Sequence, residues 1–151
     1  MDPSEIAERR GHRLLQAGAL LFLVALFVGV AVPAFTGPRL GLATHLLGIT
    51  QGLFLMVLGL AWPRLDLTPV LGKVASVLAL FGCAAPWTAN LLGAVWGAGN
   101  SLLPMAAGAA HGAPFQEGVI TVLLRGGGAA LIGSMSLVVW GLRSSAHRPA
   151  R

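Results

Sequence analysis

The chain has 151 residues, of which 56% are hydrophobic and only 10% charged, with a mean hydropathy of +0.80. Soluble domains carry about 25% charged residues, so this composition excludes an ordinary soluble domain and points to a membrane protein. The net charge of +5 is divided among two tails and one connection instead of being gathered on one face, so it does not require a nucleic-acid partner.

A helix needs about 20 residues to cross a bilayer, and four apolar runs reach that length: 14–33, 40–62, 74–97 and 117–142. Arg9, Arg10, His12 and Arg13 precede the first run. That run is longer than the hydrophobic stretch of a signal peptide and leads into "VPAFTGPRLG", with no small-x-small cleavage site, so it reads as a retained span. The second run holds "GLATHLLGITQG" (41–52), with His45 and Gln51 inside a stretch otherwise fit for lipid. At about 100° per residue, Gly41, His45, Gly48, Gly52 and Gly59 fall in one stripe roughly 60° wide. Two readings stay open. The glycines pack another helix with His45 hydrogen-bonded across the interface, or a flat cofactor lies along the lane with the imidazole on its metal. Haem is the obvious such group, because a proximal His is one of its standard ligands.

Arg64 and Lys73 flank the second connection. In the third run, Cys83 lacks partners for a disulfide or a metal thiolate and reads as a small core residue. Pro86 removes a backbone hydrogen bond and predicts a kink. Trp87 and Asn90, three residues apart, share a face, either as ordinary packing or as an aromatic wall beside an amide. The connection 97–116, "GAGNSLLPMAAGAAHGAPFQ", is rich in Gly, Ala and Pro and contains His111. Glu117 opens the fourth run, where a carboxylate complements the helix dipole; as the only acid on that side it is also a proton-transfer candidate. Arg125 either snorkels to the interface or neutralises the propionates of a bound haem. "RGGGAALIGS" (125–134) permits close backbone approach. Trp62, Trp96 and Trp140 lie near span ends and read as interface anchors. Arg143, His147, Arg148 and Arg151 close the chain.

Every basic residue outside the spans except Arg39 falls on one side, so the positive-inside rule places both termini in the cytoplasm. The expected fold is an all-α membrane protein, a four-transmembrane-helix bundle in a single domain spanning residues 1–151. The expected location is the bacterial inner membrane, with lipid as its surroundings. No internal repeat supports an inverted-repeat transporter. Counting about 1.5 Å per residue from the span ends puts His45 roughly 8 Å, Asn90 roughly 10 Å, Arg125 roughly 12 Å and Gln51 roughly 17 Å deep, all from the same side. That common depth predicts one shared site, since polar groups in a bilayer are functional by default. Only one histidine lies well inside a span, so a haem there would keep an open coordination position, suited to catalysis more than to electron relay.

These stretches together resemble the hydroxylaminobenzene mutase family of small four-helix membrane proteins. The resemblance covers about residues 14–143 and rests on "PAFTGPRLGLATHLLGITQG", on Trp87 followed by "LLGAVWGAG", on "FQEGVI" (115–120) and on "LVVWGLR" (137–143). It implies rearrangement of an N-phenylhydroxylamine to an aminophenol; for that reaction Gln51 and Asn90 are expected to orient the polar head, Trp87 to contact the ring and Glu117 to be the proton-transfer candidate. A more distant similarity is to styrene oxide isomerase, through a helix-two pattern of histidine, five residues, an amide and glycine. That likeness implies haem b with His45 as its iron ligand and Gln51 as the amide beside the open face, in a homo-oligomer, by resemblance a trimer. The glycine lane and the depth of Arg125 add Gly48, Gly52 and Arg125 as the residues expected around such a haem. Thr44 and Gln51 stand where that pattern has Ala and Asn, and the acid and tyrosine of its helix three have no counterpart in "CAAPWTANLLG". Epoxide isomerisation is thus the alternative activity. A small multidrug transporter would need a carboxylate inside a span, and spans one to three have none. A helix-packing scaffold would leave the shared depth of the polar groups to coincidence, and a bis-histidine cytochrome would need His45 from two subunits.

Overall fold

The computed structural model describes residues 3–108 and 111–145; His147, Arg148 and Arg151 lie outside the described residues. Five α-helices follow in order: α1 (Pro3–Ala31), α2 (Pro38–Ala61), α3 (Pro69–Trp96), the single turn α4 (Pro104–Ala107) and α5 (Pro114–Ser145). Four of them, α1, α2, α3 and α5, are long and apolar enough to cross a membrane, as the apolar runs predict. Short 3₁₀ turns at Val32–Ala34 and Trp62–Arg64 follow α1 and α2.

The ends have local causes. Proline opens α2 and α3, where its missing N–H is one the helix cannot use. Thr68 caps α3 by accepting the Leu71 N–H at 3.3 Å. Gly97, at φ 65°, closes it in the left-handed conformation that favours glycine. The sequence places the first span from residue 14, whereas α1 already begins at Pro3. No breaker separates the polar tail from the apolar run, and the early turns are held from outside. Arg10 Nη1 donates to the Pro69 carbonyl at 2.8 Å, and a Cβ added at Gly11 would meet the Gly59 carbonyl at 2.6 Å.

The spans lie in the order α1, α2, α3, α5, each antiparallel to the next, with α1 also touching α3. Gly18 and Gly52 bring α1 and α2 into backbone contact, a Cβ on Gly52 sitting 2.8 Å from the Gly18 carbonyl. Gly82 faces Leu131 and Gly127 faces the Pro86 ring between α3 and α5. The buried Ser134 hydroxyl donates to the Ala75 carbonyl at 2.8 Å across the same interface. Helix α3 runs as one helix through Pro86, whose ring packs in the space beside Gly127 of α5.

Four antiparallel spans put residues 3 and 145 at the same end. There Leu14, Leu55, Leu58, Trp62, Ala75, Ala79, Cys83 and Val138 form one core cluster; Ala89, Ala98 and Ile120 form another towards the opposite end. Cys83 is fully buried, as its reading as a core residue requires. Trp62 departs from its reading as an interface anchor: it is only 3% exposed. The 3₁₀ turn folds it back under α1, where its Cβ would lie 3.2 Å from a Cβ on Gly11. Trp140, 66% exposed, stands at the surface.

Candidate functional site

The site begins with a hydrogen bond between two spans. His45 of α2 lies 2.7 Å through Nδ1 from the Ala25 carbonyl of α1. A carbonyl only accepts, so Nδ1 carries the proton and, in the neutral ring, Nε2 keeps its lone pair. Metal-binding histidines are oriented in this way, one nitrogen tied to a carbonyl and the other left to ligate. The ring lies directly over Gly29 of α1: a Cβ there would overlap Nδ1 and approach Cε1 to 2.6 Å. Gly29 is therefore the slot that admits the imidazole.

Sequence reasoning missed Ala25 and Gly29. A signal existed, because Gly11, Gly18 and Ala25 recur every seven residues along α1, with Gly29 one turn further. That spacing of small residues marks the face turned to α2.

One turn from His45, Gly48 carries the indole of Trp87. A Cβ on Gly48 would meet Trp87 Nε1 at 2.6 Å and the Ala25 Cβ at 2.6 Å. Trp87 Nε1 is buried without a hydrogen-bond partner, and so is Gln51 Oε1, three residues along α2 from Gly48. Buried polar atoms are nearly always paired, so these two orphaned atoms, a donor on α3 and an acceptor on α2, are the feature of this site that a bound ligand would answer. At Gly52 a Cβ would meet the Phe22 backbone N at 2.9 Å. The glycine lane is thus filled by α1 at Gly52 and by Ala25 of α1 together with Trp87 of α3 at Gly48, in the manner of small-residue helix packing.

The remaining residues are placed differently. Asn90 is buried, and its Nδ2 donates to the Pro86 carbonyl of its own helix at 2.9 Å. Thr44, fully buried, donates its hydroxyl to the Leu40 carbonyl at 2.7 Å, which accommodates its polarity in the interior. Glu117 turns to the α3–α5 connection: its carboxylate accepts backbone N–H bonds from Gly99 (2.8 Å), Asn100 (3.3 Å), Ser101 (3.1 Å) and Gly112 (3.1 Å). Arg125 stands exposed on α5, a helix that packs chiefly on α3. The single chain therefore gathers His45, Gly48, Gln51 and Trp87, and leaves Glu117 and Arg125 apart from them. Among the described residues no three His, Cys, Asp or Glu side chains converge as a metal site, so any metal bond from this cluster comes from His45 alone.

Comparison with known proteins agrees with this architecture. Residues 10–143 match the family model described as styrene oxide isomerase. The chain is 43% identical over 140 residues to hydroxylaminobenzene mutase HabB of Ectopseudomonas oleovorans, covering 93% of this chain and 84% of that protein. It is 41% identical over 111 residues to hydroxylaminobenzene mutase HabA of the same organism, covering 74% of this chain and 82% of that protein. No solved structure gives a significant match.

Proposed function

We propose a function for this chain on one premise: it belongs to the styrene oxide isomerase family, and it is an isomerase with four membrane-spanning helices. The reaction we assign is the rearrangement of an N-arylhydroxylamine such as hydroxylaminobenzene to an aminophenol. The N–O bond breaks, a C–O bond forms at a ring carbon, and the proton leaving that carbon ends on nitrogen. Atoms and electrons balance within one molecule, so no co-reactant is needed.

The orphaned pair carries this assignment. A hydroxylamine head both accepts and donates hydrogen bonds, and so satisfies Trp87 Nε1–H and Gln51 Oε1 together. An epoxide oxygen only accepts; it would answer Trp87 and leave the Gln51 oxygen unpaired, at about 1–3 kcal/mol. In the reaction Trp87 Nε1–H donates to the substrate oxygen, and that bond strengthens as the N–O bond lengthens and charge gathers there. Gln51 accepts from the N–OH group and fixes its direction relative to the ring. Burial among three helices keeps solvent from intercepting the migrating hydroxyl. Asn90 borders the same region one turn from Trp87.

Haem b is the cofactor we assign, held by His45 Nε2. Among the described residues no cluster of His, Cys, Asp or Glu includes His45, so His45 would be the one protein ligand. With the glycine lane filled, the half-buried flank of the imidazole is the side on which such a group would fit. When bound, haem would supply a Lewis-acidic iron. Assembly as a homo-oligomer belongs to the same proposal. Arg125 stands exposed inside a spanning helix with no partner among the described residues, a position unfavourable against lipid and relieved by a second copy or by propionates. The clustering of Arg9, Arg10, Arg13, Arg64, Lys73 and Arg143 at the end that holds residues 3 and 145 supports a bacterial inner-membrane location with that end cytoplasmic.

The test is turnover of hydroxylaminobenzene by the detergent-purified protein in ¹⁸O-labelled water. Unlabelled aminophenol is the expected product; labelled product, or none, would sink the assignment. Trp87→Phe and Gln51→Leu each remove one substrate hydrogen bond and are expected to lower kcat/KM about tenfold. Gly29→Ala sets a methyl group where the His45 ring lies. It should lower kcat about tenfold with helical circular dichroism unchanged, because a small displacement of a positioned group suffices for such a loss.

A further inference from the structure

We propose that this protein carries a binding site for the headgroup of an anionic phospholipid, in the groove between α1 and α3 at the basic end of the bundle. Arg10, Arg13 and Leu14 of α1 face Lys73, Ser76, Val77 and Leu80 of α3 across a groove of about 230 Å³. Three cations converge there from two helices and no carboxylate lines it. Glu8 of α1 lines the adjoining shelf with Arg9, His12 and Gln16, which Arg13 shares with the groove.

No ion pair among the described residues neutralises these cations. Arg10 is fixed by its Nη1 bond to the Pro69 carbonyl, which leaves its other guanidinium nitrogens for a ligand. Arg13 and Lys73 are exposed and have no partner among the described residues. Ser76 donates its hydroxyl to the Lys73 carbonyl at 2.9 Å. A positive cluster of this density favours a phosphate group, which two arginines can grip through paired N–H donors.

The groove's long axis selects lipid over a free anion. Lys73 lies at the mouth of α3, and Leu80 lies seven residues further in, roughly 10 Å along the helix. Basic groups at the rim thus give way to Leu14, Val77 and Leu80 at the depth of hydrocarbon. A phosphodiester at the rim with an acyl chain running inward matches both halves. Basic pockets between spanning helices on the cytoplasmic side recognise lipid headgroups by this logic. The site lies at the opposite end from His45 and does not rest on the proposed reaction.

Native mass spectrometry of the full-length protein, released from neutral detergent after titration with phosphatidylglycerol or phosphatidylcholine, tests the assignment. Wild type should retain phosphatidylglycerol at least about tenfold more strongly than phosphatidylcholine. Arg13→Gln with Lys73→Gln should weaken phosphatidylglycerol roughly 30-fold, at about fivefold per basic group. Arg64→Gln with Arg143→Gln removes the same charge from the same end outside the groove and should leave retention within about twofold. Equal losses in the two double variants would overturn the site in favour of diffuse attraction. Displacement of the lipid by millimolar inorganic phosphate would overturn the lipid as its occupant. Equal retention of the two lipids by wild type would overturn it without reference to any variant.

Discussion

Replacing His45 with alanine is expected to abolish turnover of hydroxylaminobenzene, by about a thousandfold or more in kcat/KM, while the helical content stays intact. The first half of that statement follows from the chemistry of the cluster. His45 supplies its only titratable group and its only strong metal ligand, and removal of a positioned acid–base or ligating group lowers rates by about 10²–10⁴-fold. The second half follows from packing. The α1–α2 interface is made at Gly11, Gly18, Gly52 and Gly59 by backbone contact, and the His45–Ala25 bond is one polar link added to it. Its loss returns a helix carbonyl to the state of its neighbours and leaves a gap over Gly29. The measurement pairs activity with a visible absorption spectrum. A Soret band in wild type that His45→Ala lacks supports iron on Nε2. A variant that keeps both the band and full turnover overturns the assignment of His45. Exogenous imidazole offers a second reading, since the space above Gly29 in the variant matches the ring it would restore.

The fold was legible because its signal is coarse. Four stretches of apolar residues near the bilayer length admit little but four spanning helices, and no detail of packing was needed to see them. His45 was legible for a related reason, as an ionisable ring among leucines and glycines is conspicuous. What held the ring was not. Ala25 contributes a backbone carbonyl, which every residue has, and Gly29 contributes the absence of a side chain. Neither announces itself in a one-letter sequence, although the sevenfold spacing from Gly11 through Gly18 to Ala25 marks the face on which they stand. Trp62 was misplaced because span position alone was used. It does end its span, but the 3₁₀ turn that follows directs its ring inward. The early start of α1 was hidden by polarity: residues 4–13 are too hydrophilic to count as span, yet nothing in them ends a helix, and Arg10 has a carbonyl waiting on α3. Glu117 is visible in the sequence as an acid at a helix start, where a carboxylate complements the dipole. Its four partners are backbone N–H groups of a Gly-rich connection, donors that any sequence possesses and that only the fold aims.

That arrangement makes Glu117→Ala the substitution with the largest expected effect on stability. The carboxylate ties together Gly99, Asn100, Ser101 and Gly112, so it fastens both ends of the α3–α5 connection to the first turn of α5. Gly99 sits at φ 114°, a conformation that favours glycine, and the turn it makes is what points three successive N–H groups at one side chain. Hydrogen bonds to a charged acceptor contribute about 1.5–3 kcal/mol each when well buried. Water takes over part of that role at this half-exposed position, so a total near 2 kcal/mol is the expectation for the alanine variant. For a chain of this length that lowers the melting temperature by about 5 °C. Limited proteolysis should cut the connection sooner, since its backbone bonds to Glu117 join the Ala113–Gln116 bond in holding it to α5. Glu117→Gln separates this role from proton transfer. The amide keeps one oxygen for part of the set and turns an N–H₂ donor towards the remaining N–H, so its melting temperature should fall about half as far and its turnover should stay close to that of wild type. A glutamine variant that melts like wild type yet loses turnover tenfold or more would instead make the carboxylate a participant in the reaction. The fastening role would then be secondary.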